Sequence, residues 1–356
     1  MIHGLERENA TLKKELAAKV LELHEVQKKS SRTSSKPSDE GINCESFSVK
    51  TVLKSKVKGL FKYYTGFQSS TFNVLFDFLI PDGKNNPLEY KERKSACMKL
   101  SLKDQLFLVL CRLRNGFHLK DLAFRFHVSI QIASIIFNTW IRYMYLRLGC
   151  LTLWPHRDVL INRMPEKFKQ EFPTTLAIMD CTELKTERPT SLQIQSQCYS
   201  DYKSSSTLKA LVVTDPCGSV MFTTGLFTGS ISDREIFQKG HVFKLLQDLI
   251  KDGKVYPNDG IMVDKGFQIE DEVQKIGLKV NIPPLASSSS QMKPTDVLLT
   301  RKIASHRVHI ERTIQRIKSF KLVARTIPVS LFGSINEIWL VCCYLTTFQD
   351  VLLKEE

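Results

Sequence analysis

Leu176-Ala177-Ile178-Met179-Asp180 is a short apolar run closed by an acid, and Gly260-Ile261-Met262-Val263-Asp264 repeats the pattern further along the chain. Apolar runs this short, rich in branched side chains, read as buried strands, and each is expected to end at its aspartate. Around them, residues 208–214 and 219–227 read as two strands about the turn Asp215-Pro216-Cys217-Gly218, a hairpin signal. Residues 236–250 read as a helix and Val280-Asn281-Ile282 as a further strand, before a loop with serines at 287–290. Residues 303–320 form a long helix with Ile303, Ile310, Ile314 and Ile317 as its core stripe, and residues 335–351 form a last apolar helix. Strands interleaved with helices predict an α/β layer structure.

Working toward the N-terminus, the periodicity becomes helical. Ser70 or Thr71 is placed to cap a helix through Ile80, stopped by Pro81-Asp82-Gly83. Ser101 opens an amphipathic helix to about Asn115, ended by Gly116. The stretch KDLAFRFHVSIQIASIIFNTWIRYM, residues 120–144, then has the layout of a helix-turn-helix. Its first helix packs through Leu122, Ala123 and Phe126, and its second, capped by Ser129, through Ile132, Ile135, Ile136 and Trp140. Gln131, Ser134 and Asn138 then face outward toward base edges, with Lys120, Arg125 and Arg142 toward phosphates. An ordinary helical bundle fits the same spacing.

Residues 1–29 carry Leu5, Leu12 and Val26 in one heptad position and Asn9, Leu16 and Leu23 in the other. That reads as a short coiled coil, and hence a homodimer, with a solvated single helix as the alternative. Polar residues beginning at Ser30 make 30–67 a linker. The expected order is therefore coiled coil 1–29, linker 30–67, an all-α helix-turn-helix domain 68–150, and an α/β domain 170–352.

The chain of 356 residues has 51 Lys plus Arg against 37 Asp plus Glu, a formal charge of +14. Hydrophobic content of 42% and charged content of 25% exclude a collagen-like or wholly disordered chain. The longest apolar runs, at 106–110 and 338–344, fall far short of the ~18–20 residues a membrane span needs. Nine cysteines without a CxxC pair argue against a disulfide framework or zinc finger and for a reducing compartment. The basic excess is local: residues 51–150 carry 16 basic and 6 acidic side chains, and the excess after residue 300 lies in 301–325. Two basic zones flanking a near-neutral middle favour a polyanion partner.

The chemistry is expected from carboxylates. Asp180 and Asp264 close strands whose ends gather at one sheet edge, and Glu311 lies on the late helix beside Arg307, Arg312 and Arg316. Converging carboxylates raise one another's pKa unless a cation intervenes. Mg²⁺ takes oxygen ligands from a few carboxylates and a substrate phosphate, and a pair of such ions can drive phosphodiester cleavage. Taken singly, an aspartate closing a strand is commonly a turn residue, and a glutamate among arginines a surface pair. Lys185, Arg188, Tyr199, Tyr202 and Lys203 are placed to line a DNA path, and Cys181 lacks a partner histidine for nucleophilic work.

The surrounding motifs make the combination specific. MDCTELKTERPTS (179–191), QSQCYSDYKSSSTLKALV (195–212), FTGSISDREI (227–236), IMVDKGFQIED (261–271), NIPP (281–284) and IASHRVHIERTIQRIKSF (303–320) stand in the order found in DDE-superfamily transposase endonucleases. The chain resembles the Harbinger-like group of that superfamily, whose members often follow a THAP zinc-binding domain. The resemblance covers about 170–350, with 68–150 similar to the preceding helix-turn-helix domain. It implies a ribonuclease-H-like catalytic fold with Asp180, Asp264 and Glu311 binding Mg²⁺ or Mn²⁺, and Asp233 in a supporting role. It further implies double-stranded DNA as partner, both transposon ends and target, with Arg307, Arg312 and Arg316 holding the backbone, and a nuclear location. No Cys/His ligand series precedes Cys44, so a separate DNA-binding accessory protein is also expected. The alternative is a domesticated, transposase-derived DNA-binding regulator with an idle catalytic site.

Overall fold

The computed structural model describes residues 47–81, 86–151, 153–284 and 293–349. The expected coiled coil at 1–29, the linker as far as residue 46 and the serine run at 287–290 lie outside the described residues. The chain divides into two units, Met1–Thr152 and Leu153–Glu356.

The first unit is helical, with α1 (Val49–Lys54), α2 (Leu60–Thr65), α3 (Ser69–Leu79), α4 (Leu102–Asn115), α5 (Leu119–Arg125) and α6 (Ile130–Gly149). Residues 47–67, expected as linker, instead hold α1 and α2 and bury Val52, Phe61 and Phe67. Phe61 stacks flat on Phe107 of α4 with ring centroids 5.7 Å apart. Those isolated apolar residues find their partners only in the tertiary structure, so no local periodicity announces them.

Ser101 caps α4 by accepting from the Asp104 amide at 3.1 Å, and Gly116 takes the left-handed conformation, φ 67°, that ends the helix. Ser129 caps α6 in the same way, through the Ile132 amide at 3.2 Å. Between α5 and α6 the turn places His127 at φ 52°, and the Val128 amide returns to the Ala123 carbonyl at 3.0 Å. The core is tied by one buried amide. Gln105 donates to the carbonyls of Cys97 and Leu100, and its oxygen accepts from the Trp140 indole at 3.0 Å and from the Tyr90 hydroxyl. A fully satisfied buried polar group of this kind fixes how α4 meets α6.

The second unit begins with α7 (Arg157–Arg163) and α8 (Glu166–Glu171). A mixed sheet follows: β1 (Thr175–Lys185), β2 (Tyr199–Ser200), β3 (Ser205–Thr214), β4 (Val220–Thr223), β5 (Phe227–Thr228), β6 (Gly260–Met262) and β7 (Lys279–Asn281). The helices α9 (Leu192–Cys198), α10 (Asp233–Lys239), α11 (Val242–Lys251), α12 (Glu270–Gln274), α13 (Pro294–Ile317) and α14 (Ile335–Leu345) lie between and after the strands. The strand order is β2-β3-β1-β6-β7, with β4 and β5 also on β3. β1 runs antiparallel to β3, with Asp180 opposite Val212, and parallel to β6, which is parallel to β7. A central strand with antiparallel neighbours on one side and parallel ones on the other is the expected ribonuclease-H-like arrangement.

Side chains alternate across β1, so two cores form. Ala177 and Met179 enter one with Leu211, Val213, Phe237 and Leu246. Ile178 enters the other with Met262, Phe168 of α8, and Ile303 and Ile310 of α13. The sheet is thus covered on both faces, and α13 lies over the face on which Ile178 and Asp180 alternate.

Four readings change. β1 runs on through Asp180 to Lys185 because β3 pairs with it to that point. The apolar run stops at Met179 because burial relaxes there, not because the strand ends. Residues 219–227 divide into β4 and β5. The helix expected over 236–250 breaks into α10 and α11 at Gly240 and His241, the latter at φ 59°. α13 begins at Pro294, which suits a first-turn position, rather than at Ile303. Among the described residues no helix is long and apolar enough to cross a membrane, and eight cysteines are free thiols.

Candidate active site

Asp180 follows Ile178 on the α13 face of β1, and Asp264 stands two residues beyond the end of β6. Because β1 and β6 are parallel neighbours, both acids reach the same edge of the sheet. The loop carrying Asp264 is pinned on either side of it. The Val263 amide donates to the Asn281 carbonyl at 3.1 Å, the Phe267 amide donates to the Asp264 carbonyl at 3.2 Å, and the Phe267 ring is fully buried.

Arg307 of α13 meets both acids. Its Nη1 lies 3.1 Å from Asp264 Oδ1 and its Nη2 lies 3.3 Å from Asp180 Oδ1. Asp180 Oδ1 also accepts from the Cys181 amide at 2.9 Å. Burial pushes the Asp180 carboxyl up to about 6, against the pull of Arg307 and with the repulsion of Asp264 added. Burial disfavours the charged form of Asp180, an effect that a nearby cation counters.

Glu311 stands one helical turn after Arg307, on the same side of α13, and is exposed. The helix is held there by buried Ile310 and by Thr313, whose hydroxyl donates to the Gly218 carbonyl at 2.6 Å. The structure therefore brings Asp180 and Asp264 together, while Glu311 flanks them. Among the described residues, no group of three or more His, Cys, Asp or Glu side chains is close enough to hold a metal. The two aspartates nevertheless fit a hard divalent ion. Both are oxygen donors, both already address one cationic group, and Mg²⁺ ordinarily needs only one or two protein carboxylates besides phosphate and water.

Asp233, the first residue of α10, lies on the opposite face of β1. It pairs with Lys209 of β3 at 2.6 Å, and α10 is fastened by a capping box between Ser232 and Glu235. A side chain added at Gly266 would come within 2.9 Å of Asp233 Oδ2, so the Asp264 loop packs directly on this pair. Burial and then Asp233 push the Cys181 thiol well above its ordinary range, which removes it as a nucleophile.

Several contacts join residues distant in sequence. Arg307 was grouped with the DNA-holding arginines but turns into the acids instead. Its spacing of one helical turn before Glu311 was the available signal, and it suggested a surface pair. Lys318 donates to the Glu183 carbonyl at 2.9 Å, three residues beyond Asp180, and burial followed by Lys203 lowers its pKa. His309 is pushed down to about 4 by burial and by Arg312. Arg312 is exposed and Arg316 half-buried.

In the helical unit, Lys120, Asn138 and Arg142 are exposed and Ser134 is half-buried. Gln131 is exposed but accepts a hydrogen bond from Arg93. Arg125 pairs with Asp121 at 2.8 Å and lies over the rings of Phe47 and Phe117, so packing already occupies it. Phe124, beside it, is 81% exposed.

Residues 179–347 match the family model described as DDE superfamily endonuclease, and residues 98–150 match the helix-turn-helix of DDE superfamily endonuclease. The chain belongs to the DDE superfamily endonucleases. The second match spans α4–α6. No curated protein matches the chain. Among solved structures, it is similar to the catalytic domain of Mos1 mariner transposase, at 13% identity over 58% of this chain and 89% of that one, with TM-score 0.23. It is also similar to the Mos1 mariner paired end complex with Mn, at 14% identity over 74% and 78% of the two chains, with TM-score 0.22.

Proposed function

We propose that this endonuclease is a transposase that cuts phosphodiester bonds at transposon ends and transfers the freed strand to target DNA. The observation that carries the reading is the convergence of Asp180 and Asp264, from two parallel strands, on one cationic position. Bound Mg²⁺ or Mn²⁺ would polarise the scissile phosphate and activate the attacking water, or later the 3′-hydroxyl. Asp180 and Asp264 would hold the ion, and Glu311, one helical turn from Arg307, would be the third ligand. The Lys209–Asp233 pair keeps the Asp264 loop in place. Lys120, Asn138 and Arg142 engage DNA from the helical unit, and Arg312 does so beside the site. The Harbinger-like affiliation, the nuclear location, a homodimer through residues 1–29 and a DNA-binding accessory protein belong to this proposal and rest on the sequence motifs.

A second reading, a domesticated DNA-binding regulator with an idle site, is favoured by one observation. Arg307 already pairs with both aspartates, and Glu311 forms no metal-holding group with them. The test is cleavage of duplex DNA carrying terminal inverted repeats by the purified full chain with Mg²⁺, Mn²⁺ or chelator. Metal-dependent cutting that falls ~10²-fold or more in Asp180→Ala and Asp264→Ala supports the transposase. DNA binding with equal background cutting by all three proteins supports the regulator.

A further inference from the structure

Among the described residues of the sheet unit, Arg157 and Arg307 both pair with aspartates, and the chemistry of the two arginines differs. Arg157 holds Asp259 through two nitrogens, Nε and Nη2, with contacts of 2.8–3.0 Å, and Asp259 also accepts from the Tyr256 amide at 2.8 Å. Asp259 is 2% exposed. Donors and acceptors there are matched, as in a bridge built to stay closed. Arg307 is divided instead between two acids, one nitrogen to each, and its buried Nε has no hydrogen-bond partner. One of its acids, Asp264, is 49% exposed. The pairing offsets one of two negative charges and leaves the guanidinium incompletely bonded, so it grips the acids less completely than the closed Arg157–Asp259 bridge.

We propose that Arg307 is a displaceable internal counter-ion. It holds Asp180 and Asp264 together, and it competes with a divalent cation for the same two oxygens. The inference rests on the metal-binding role proposed above for those acids. A guanidinium and a dication cannot both lie within about 3 Å of Asp180 Oδ1 and Asp264 Oδ1 without strong mutual repulsion. Ion binding therefore requires the Arg307 side chain to swing away, and the affinity for metal carries the cost of that exchange. Arg307 acts through the two acids, so it is a positioning residue for the reaction. The arrangement makes cation binding and the position of this arginine alternatives, so that each opposes the other by the same factor.

The experiment is a Mn²⁺ titration of the full chain, read from the electron paramagnetic resonance signal of free ion. It compares wild type, Arg307→Gln and Arg307→Lys, with melting curves in chelator and in saturating Mn²⁺. The expected result is a Kd lowered about tenfold in Arg307→Gln, within the usual range for coupled sites. Arg307→Lys, which keeps the charge but spans the two acids less well, falls between the other two. In chelator Arg307→Gln melts below wild type, and in Mn²⁺ the gap closes. A merely structural arginine would lower stability in both conditions and would not tighten metal binding. Equal or weaker Mn²⁺ binding by Arg307→Gln, with wild type binding, overturns the counter-ion role alone. If Arg307→Gln does not fold, Arg307→Lys decides: tighter binding than wild type supports the role, and equal or weaker binding overturns it. Absence of binding by every protein overturns the metal site and this inference together.

Discussion

The two ends of β6 put the same residue types to opposite uses. Before the strand, Asp259 is locked by Arg157 in a saturated, buried pair. After it, Asp264 shares Arg307 with Asp180 in a contact that leaves a donor unsatisfied and one acid half open to solvent. In the helical unit a more exposed arginine, Arg125, is held by Asp121 and two aromatic rings.

The contrast can be broken by mutation, beginning with the largest effect. Asp259→Ala strands the Arg157 charge and is expected to destabilise the sheet unit by about 3–5 kcal/mol in chemical denaturation. A cost below about 1 kcal/mol would mean that the anchored end is not anchored.

The next effect concerns pH. The folded Asp180 carboxyl titrates at about 6, above the ordinary carboxylate value, so the folded chain binds that proton more tightly than the unfolded chain does. The stability this contributes is present in acid and lost as pH rises through the interval up to about 6. In chelator, Asp180→Asn should therefore gain stability relative to wild type across that rise, by roughly 3 kcal/mol at most. A constant difference between the two proteins would contradict the raised carboxyl.

Gly266→Ala forces a side chain against Asp233 Oδ2 and is expected to cost about 1–3 kcal/mol while weakening Mn²⁺ binding, because the displaced loop carries Asp264. Lost stability with unchanged binding would separate Asp233 from the site. In the helical unit, Arg125→Ala should lower stability by about 1 kcal/mol through the lost ring and Asp121 contacts. Lys120→Ala should leave stability unchanged and reduce the salt dependence of DNA binding by about one counter-ion. If Arg125→Ala lowered the salt slope without touching stability, the packing role assigned to it would fail.

Much of this was legible in the sequence, for local reasons. The caps at Ser101 and Ser129, the stop at Gly116 and the apolar runs before the two aspartates are read from neighbouring residues, and each is where the pattern places it. What was not legible depends on partners distant in sequence. Nothing near Phe61 indicates that it stacks on Phe107, so the residues around it read as linker. The extension of β1 past Asp180 is set by the length of β3. Arg307 looked like one of several DNA-facing arginines because its position between two aspartates exists only once α13 crosses the sheet. The orphaned Nε and the contact of Gly266 with Asp233 are likewise products of packing.

The central claim is that β1 and β6 deliver two acids to one divalent cation. Calorimetric titration of the full chain with Mn²⁺, set against Asp180→Asn, Asp264→Asn and the control Arg125→Ala in the helical unit, tests it most directly. The account predicts saturable binding by wild type and the control, lost in either aspartate variant while each remains folded. Binding of equal strength by wild type and both aspartate variants would contradict it.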